Sequence, residues 1–231
     1  NRIGTNGDGT GDLAERNWIG SNNSSGIEIF GADATGNVVA GNLIGLGARA
    51  NGYAGVTLNA GTTGNRIGTN GDGTADALEG NRIEENGGFG VVVFGDGAAR
   101  NAILGNAIDT NNGLGIDLAG DGVTANDAGD TDTGPNGLQN FPVLTAVTPA
   151  SATFSLNSAA STQYRVEAFA NAAADGSGYG EGSRLVGATT VTTDGAGNAA
   201  GSRCSGPGGP PGPGQNKHAP KRRANLIPHQ H

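Results

Sequence analysis

The sequence predicts an all-β chain. A solenoid of short parallel strands occupies residues 1–140, a truncated antiparallel β-sandwich 141–201, and a disordered Pro/Gly/basic tail 202–231. Three observations carry this expectation. The ten residues NRIGTNGDGT at Asn1–Thr10 return letter for letter at Asn65–Thr74, and self-similarity of this kind fixes an architecture before any single residue is read. The unit G-[IV]-x-[IL] recurs as GIEI at Gly26, GVTL at Gly55, GVVV at Gly90 and GIDL at Gly115. Finally, with 45 glycines, 4% aromatics and 35% hydrophobics, the chain is too poor in bulky side chains for a layered core of this length. A stacked coil needs only a narrow aliphatic column, which this composition supplies.

Each G-[IV]-x-[IL] unit alternates with period two and reads as a brief strand. Between these units lie NVVAGNLI (Asn37–Ile44), NRIG followed after an excursion by GNRI (Asn65–Ile83), and NAILGNAI (Asn101–Ile108), each offering two more strands. Three strands per turn, with glycine starts 25 to 35 residues apart, describe about four rungs of a parallel coil. Antiparallel hairpins would need tight turns at regular spacing of about 8–12 residues, and that pattern is absent. The inward residues are then Ile27, Ile29, Val39, Ile44, Val56, Leu58, Ile67, Ile83, Val91, Val93, Ile103, Ile108, Ile116 and Leu118. Asn17, Asn42, Asn81 and Asn106 fall at corners, where stacked amides can bond the rungs above and below.

From about Val143 the pattern changes to half-buried alternation in SATFSL (Ser151–Leu156), TQYRVEAFAN (Thr162–Asn171) and RLVGATTVTT (Arg184–Thr193). The strand pattern stops at Ser202, where a final strand is expected, and this leaves an open sheet edge. The tail holds all three histidines, both lysines, Cys204 and six of nine prolines, and its change of character suggests a wrong-frame or truncated reading.

Charge and composition exclude several functions. Five of the 13 basic residues follow residue 201 and none of the 21 acidic ones does, so residues 1–201 are strongly acidic. An acidic body disfavours nucleic acid and anionic membranes. No run of about 18 apolar residues exists, so no membrane span is expected. One cysteine permits neither an internal disulfide nor a thiolate metal site, and residues 1–201, lacking His and Cys, hold no Ser/His/Asp or Cys/His constellation. The chain begins inside a repeat and is read as a fragment, so a missing export signal says nothing about location.

GNxI with GIxI, the IGTNGDGT loop, and above all GIDLAGDGVTANDAGDTDTGPNGLQNFPVL (Gly115–Leu144) resemble right-handed parallel β-helix repeat proteins of the bacterial secreted and surface type. The resemblance spans roughly residues 1–200. It implies that the segment ending in NFPVL closes the coil and leads into a partial immunoglobulin-like β-sandwich. It also implies an extracellular or cell-surface location.

Candidate sites are few. The loops Thr5–Glu15 and Thr69–Glu79 carry Asn6, Asp8, Asp12, Glu15 and Asn70, Asp72, Asp76, Glu79, which read as solvated turns or as partial calcium sites. Neither meets the EF-hand pattern. Asp121, Asp127, Asp130 and Asp132 lie within one acidic stretch and form the metal candidate, with calcium the implied ion. The competing reading is an Asx-rich cap on the coil. The calcium β-roll pattern fails, because Val92 stands where its aspartate belongs and Asp117 lacks a tandem partner. Along the coil, one outward column runs Glu28, Thr57, Val92, Asp117, with its acids too far apart for paired catalysis. A second runs Gly20, Gly45, Glu84, Asp109 and sets two acids about 5 Å apart, making Glu84 and Asp109 the catalytic candidates. No Arg or Lys shares that column. Trp18 faces outward above Leu43, either covered by further rungs or free to stack on a sugar.

The expected function is a structural or adhesive module of an exported bacterial surface protein, built as a stalk. It requires no cofactor, and its partners would be extracellular polysaccharide or surface proteins. The alternative is a polysaccharide lyase or glycosidase whose catalytic rungs are missing or unrecognised. A further one is a calcium-stabilised carbohydrate-binding module.

Overall fold

Apolar doublets set off by Gly and Asn cannot form long strands, and in the computed structural model they form strands of two to four residues. The structure describes residues 1–148, 151–172, 177–179, 181–204 and 224–230. Twelve strands lie in the repeat region. They are β1 (Arg2–Gly4), β2 (Trp18–Ile19), β3 (Ile27–Phe30), β4 (Val38–Ala40), β5 (Leu43–Gly45), β6 (Val56–Asn59), β7 (Arg66–Gly68), β8 (Arg82–Glu84), β9 (Val91–Val93), β10 (Ala102–Leu104), β11 (Ala107–Asp109) and β12 (Ile116–Leu118). A 3-10 turn at Gly47–Arg49 and a short helix, α1 (Asp76–Glu79), inside the second NGDGT loop interrupt them.

These strands form three four-stranded parallel sheets in the orders β1-β4-β7-β10, β2-β5-β8-β11 and β3-β6-β9-β12. The chain therefore visits three sheets in fixed order, four times over. The in-register pairs Ile44 with Ile83 and Ile83 with Ile108 place like residues on like residues, about 4.8 Å apart. All fourteen predicted inward residues lie in or against one apolar cluster, where twelve are buried and Ile116 and Leu118 are partly so. Each buried aliphatic side chain contributes roughly 1.5–3 kcal/mol, and a rung holds its share only while its neighbours cover it.

Glycine makes the corners possible. At Gly68 (φ +103°) a Cβ would fall 1.9 Å from the Leu104 carbonyl oxygen, and at the equivalent Gly4 (φ +96°) it would fall 1.9 Å from that of Ala40. No other residue fits where adjacent rungs approach this closely.

The chain divides into two units, residues 1–125 with 132–139, and residues 126–131 with 140–231. In the second unit β13 (Val143–Val147), β14 (Ser151–Asn157) and β17 (Asn198–Cys204) form one antiparallel sheet, in the order β13-β14-β17. A second antiparallel sheet has β15 (Gln163–Ala170) between β16 (Arg184–Thr192) and β18 (Ala224–Gln230). Phe154 from the first sheet and Val166 and Ala168 from the second share a buried cluster, against which Leu144, Val186 and Val191 pack.

This corrects the expected end of the strand pattern at Ser202 and the expectation of a disordered tail from that point. β17 runs on to Cys204, and residues 224–230 pair with β15 from Tyr164 to Ala170. The tail's Pro- and Gly-rich average concealed a seven-residue extended segment, and Pro228 is tolerated because β18 lies at a sheet edge. Residues 205–223, with Lys217, Lys221, Arg222 and Arg223, lie outside the described residues. Among the described residues no helix is long and apolar enough to cross a membrane.

Candidate functional site

In the second sheet the register places Gly45, Glu84 and Asp109 in one column, so the two catalytic candidates stand on adjacent rungs as expected. The column itself holds no base, but Arg82, two residues back on the same face, reaches along the strand. Its Nε donates to Glu84 Oε1 at 2.9 Å and its Nη2 to Oε2 at 2.7 Å. This bidentate pair occupies both oxygens of Glu84. Asp109 Oδ1 accepts the N–H of Thr110 at 3.0 Å. The R-x-E spacing signals the contact, since residues two apart in a strand share a face.

The column of Glu28, Thr57, Val92 and Asp117 in the third sheet has the predicted register, but its outward face is largely covered. Thr57, Val92 and Asp117 are buried, and only Glu28 is exposed among the four. The chain after β12 folds back over this face. A Cβ on Gly120 would lie 3.3 Å from Val92 Cγ2, and Asp117 accepts the N–H groups of Gly120 and Gly122 at 2.9 and 3.0 Å. Burial pushes the Asp117 carboxyl above its usual range, and the nearby charge of Asp121 adds to this. The two backbone donors act in the opposite direction.

Of the metal candidates, Asp121 and Asp132 belong to the first unit, Asp127 and Asp130 to the second. The latter two serve as backbone caps. Asp127 Oδ2 accepts from the N–H and hydroxyl of Thr131 at 2.9 and 2.8 Å. Asp130 Oδ1 accepts the N–H of Asn140 at 2.9 Å, and its other oxygen accepts from Ser158.

The NGDGT loops close on themselves. Asn6 Oδ1 accepts the N–H of Asp8 at 2.8 Å and Asp8 Oδ1 that of Thr10 at 2.7 Å, and Asn70 and Asp72 repeat the same two Asx turns. The Thr74 N–H holds the exposed Asp72 carboxyl below its usual range. Within each loop one carboxylate is nonetheless buried, Asp12 in the first and Glu79 in the second.

The corner asparagines form three ladders. Asn17, Asn42, Asn81 and Asn106 were legible as one of them, with Nδ2 to Oδ1 distances of 3.0, 3.1 and 2.8 Å. Asn22, Asn51, Asn86 and Asn111 form a second at 2.8 Å throughout. Asn1, Asn37, Asn65, Asn101 and Asn136 form a third. These two follow no single dipeptide, since Asn37 and Asn65 come after Gly whereas Asn22, Asn51, Asn86, Asn101, Asn111 and Asn136 do not. Trp18 sits over Leu43 as predicted and is 53% exposed, with the Arg49 guanidinium 4.5 Å from its ring centroid. Tyr53 and Phe89 meet edge to face at 5.6 Å on another corner.

The chain matches no known protein-family model and none of the curated proteins with which it was compared.

Proposed function

We propose that this chain is a structural or adhesive module of an exported bacterial surface protein. It is a stiff, acidic stalk built as a right-handed parallel β-helix, with a partial immunoglobulin-like β-sandwich after it. The observation that supports this best is the uniformity of the coil. Four successive rungs repeat the same aliphatic column and the same asparagine corners, and Glu84 and Asp117 on its faces are engaged by the chain's own donors. A uniform rod transmits distance and presents surface, and a solenoid is suited to both. The role requires no cofactor. Its partners would be extracellular polysaccharide or surface proteins, met outside the cell.

A second reading is favoured by one observation: Glu84 and Asp109 are register partners on adjacent rungs, near the separation of about 5–5.5 Å used by retaining glycosidases. Against it, the Arg82 guanidinium engages both oxygens of Glu84, which leaves neither free to act on a substrate. The two readings separate when the purified chain is incubated with a panel of extracellular polysaccharides. The module reading predicts retention of a polysaccharide or a surface protein, no new reducing ends or unsaturated products, and the same behaviour in Glu84→Gln and Asp109→Asn. Turnover abolished by either substitution would establish the enzyme instead.

A further inference from the structure

The two NGDGT loops have no part in the proposed role, and they sit on the same corner of the coil, because β1 and β7 flank β4 in the first sheet. In the second loop Glu79, 1% exposed, accepts from Thr69 Oγ1 at 3.0 Å, the Asn70 N–H at 2.9 Å and Arg66 Nη1 at 3.3 Å. In the first loop Asp12, 2% exposed, accepts on Oδ1 from the Thr5 hydroxyl and from the Gly7 N–H at 3.2 Å. Its other oxygen, Oδ2, is buried and has no hydrogen-bond partner among the described residues.

The two loops meet at Gly7. A Cβ placed there would lie 2.3 Å from Glu79 Oε1, while the N–H of the same residue points to Asp12. Two buried carboxylates, one from each copy of the loop, therefore converge on one glycine. Among the described residues Arg66, paired with Glu79, is the one basic side chain in ion-pair contact with either. Two buried carboxyl groups thus share one guanidinium, and a buried polar oxygen such as Asp12 Oδ2 is unfavourable when nothing satisfies it.

From this geometry we infer that a divalent cation binds between the stacked loops, taking Asp12 Oδ2 and Glu79 Oε1 as ligands. The donors are hard oxygens without nitrogen or sulfur, and the loops are glycine-rich and adaptable. That is the chemistry of calcium, which accepts irregular oxygen cages, rather than of magnesium, which demands a small near-ideal octahedron. The site is separate from the acidic stretch Asp121–Asp132 and lies wholly within the first unit. It ties rung one to rung three through a loop pair that the sheets alone do not join.

The test is calcium titration of the intact chain, read by calorimetry and by the melting temperature, on the wild type and four variants. Saturable binding and a calcium-dependent rise in melting temperature are expected in the wild type, in Asp72→Asn, whose carboxylate is exposed, and in Asp127→Asn. Asp12→Asn is expected to lose the response, and Glu79→Gln to weaken calcium binding at least tenfold while keeping the β-type circular dichroism spectrum. Glu79→Gln decides the matter should Asp12→Asn fail to fold. No saturable response to millimolar calcium, or a response that survives both Asp12→Asn and Glu79→Gln, would overturn the inference.

Discussion

At the scale of single residues, buried amides join one rung of this fold to the next. Asn81 is fully buried, accepts from the N–H and Nδ2 of Asn42 at 2.9 and 3.1 Å, and donates to Val39 O and Asn106 Oδ1 at 2.9 and 2.8 Å. Removing it strands several buried partners at about 1–3 kcal/mol each. Asn81→Ala should therefore lower unfolding free energy by about 3 kcal/mol or more in urea denaturation, while Asn1→Ala, on an exposed residue, should change it by less than about 0.5 kcal/mol. Asp117 acts in the opposite sense. Its folded carboxyl holds its proton to a higher pH than the ordinary 3.8, so its charged form costs stability at neutral pH. Stability should rise as the pH falls from neutral through the raised value and gain nothing more from this group below 3.8. The exposed Asp72 and Asp194 are held low by the N–H groups of Thr74 and Asn198. Their contribution is present above 3.8 and disappears as the pH falls through their lower folded values. Melting temperature measured against pH should show the acid-side rise in the wild type and a flatter profile in Asp117→Asn.

At the scale of elements, the strands were legible because each is a short period-two run opened by Gly or Asn, and the inward set followed from that period. The outward set did not follow. Period two says which side of a strand a residue occupies, but not whether another segment will cover that side. Val92 was placed correctly in register and yet is buried under the chain that follows β12. β9 thus has three buried valines in succession, whereas β3, at the edge of the same sheet, alternates buried and exposed. Val92→Lys should destabilise the chain by several kcal/mol in thermal or chemical denaturation, because it buries an unpaired charge. Glu28→Lys, in the same column and exposed, should be nearly neutral. Equivalent stabilities for the two variants would mean that the fold-back over the third sheet is wrong. The candidate acids were legible as types and positions. The R-x-E spacing signals the grip of Arg82 on Glu84, but the hold of Gly120 and Gly122 on Asp117 was not legible, because backbone donors from a returning loop leave no trace in residue spacing.

At the scale of the whole molecule, the ten-residue identity between Asn1–Thr10 and Asn65–Thr74 carried most of what could be foreseen. An exact repeat cannot hide in two different environments when each copy follows the same strand-corner-strand grammar, and the two copies begin equivalent strands, β1 and β7, of one sheet. The second unit was less legible, since β13 and β17 are rich in small or exposed residues and β18 lies in a stretch whose composition points elsewhere. Stacking of parallel rungs around one aliphatic axis is the claim beneath every site argument, and methyl-to-methyl nuclear Overhauser effects in isoleucine-labelled protein test it most directly. Contacts are predicted between Ile44 and Ile83 and between Ile83 and Ile108, each about 4.8 Å apart along the axis, with none between Ile44 and Ile108, two rungs apart. A direct Ile44–Ile108 contact, or the absence of both neighbouring contacts, would contradict the fold.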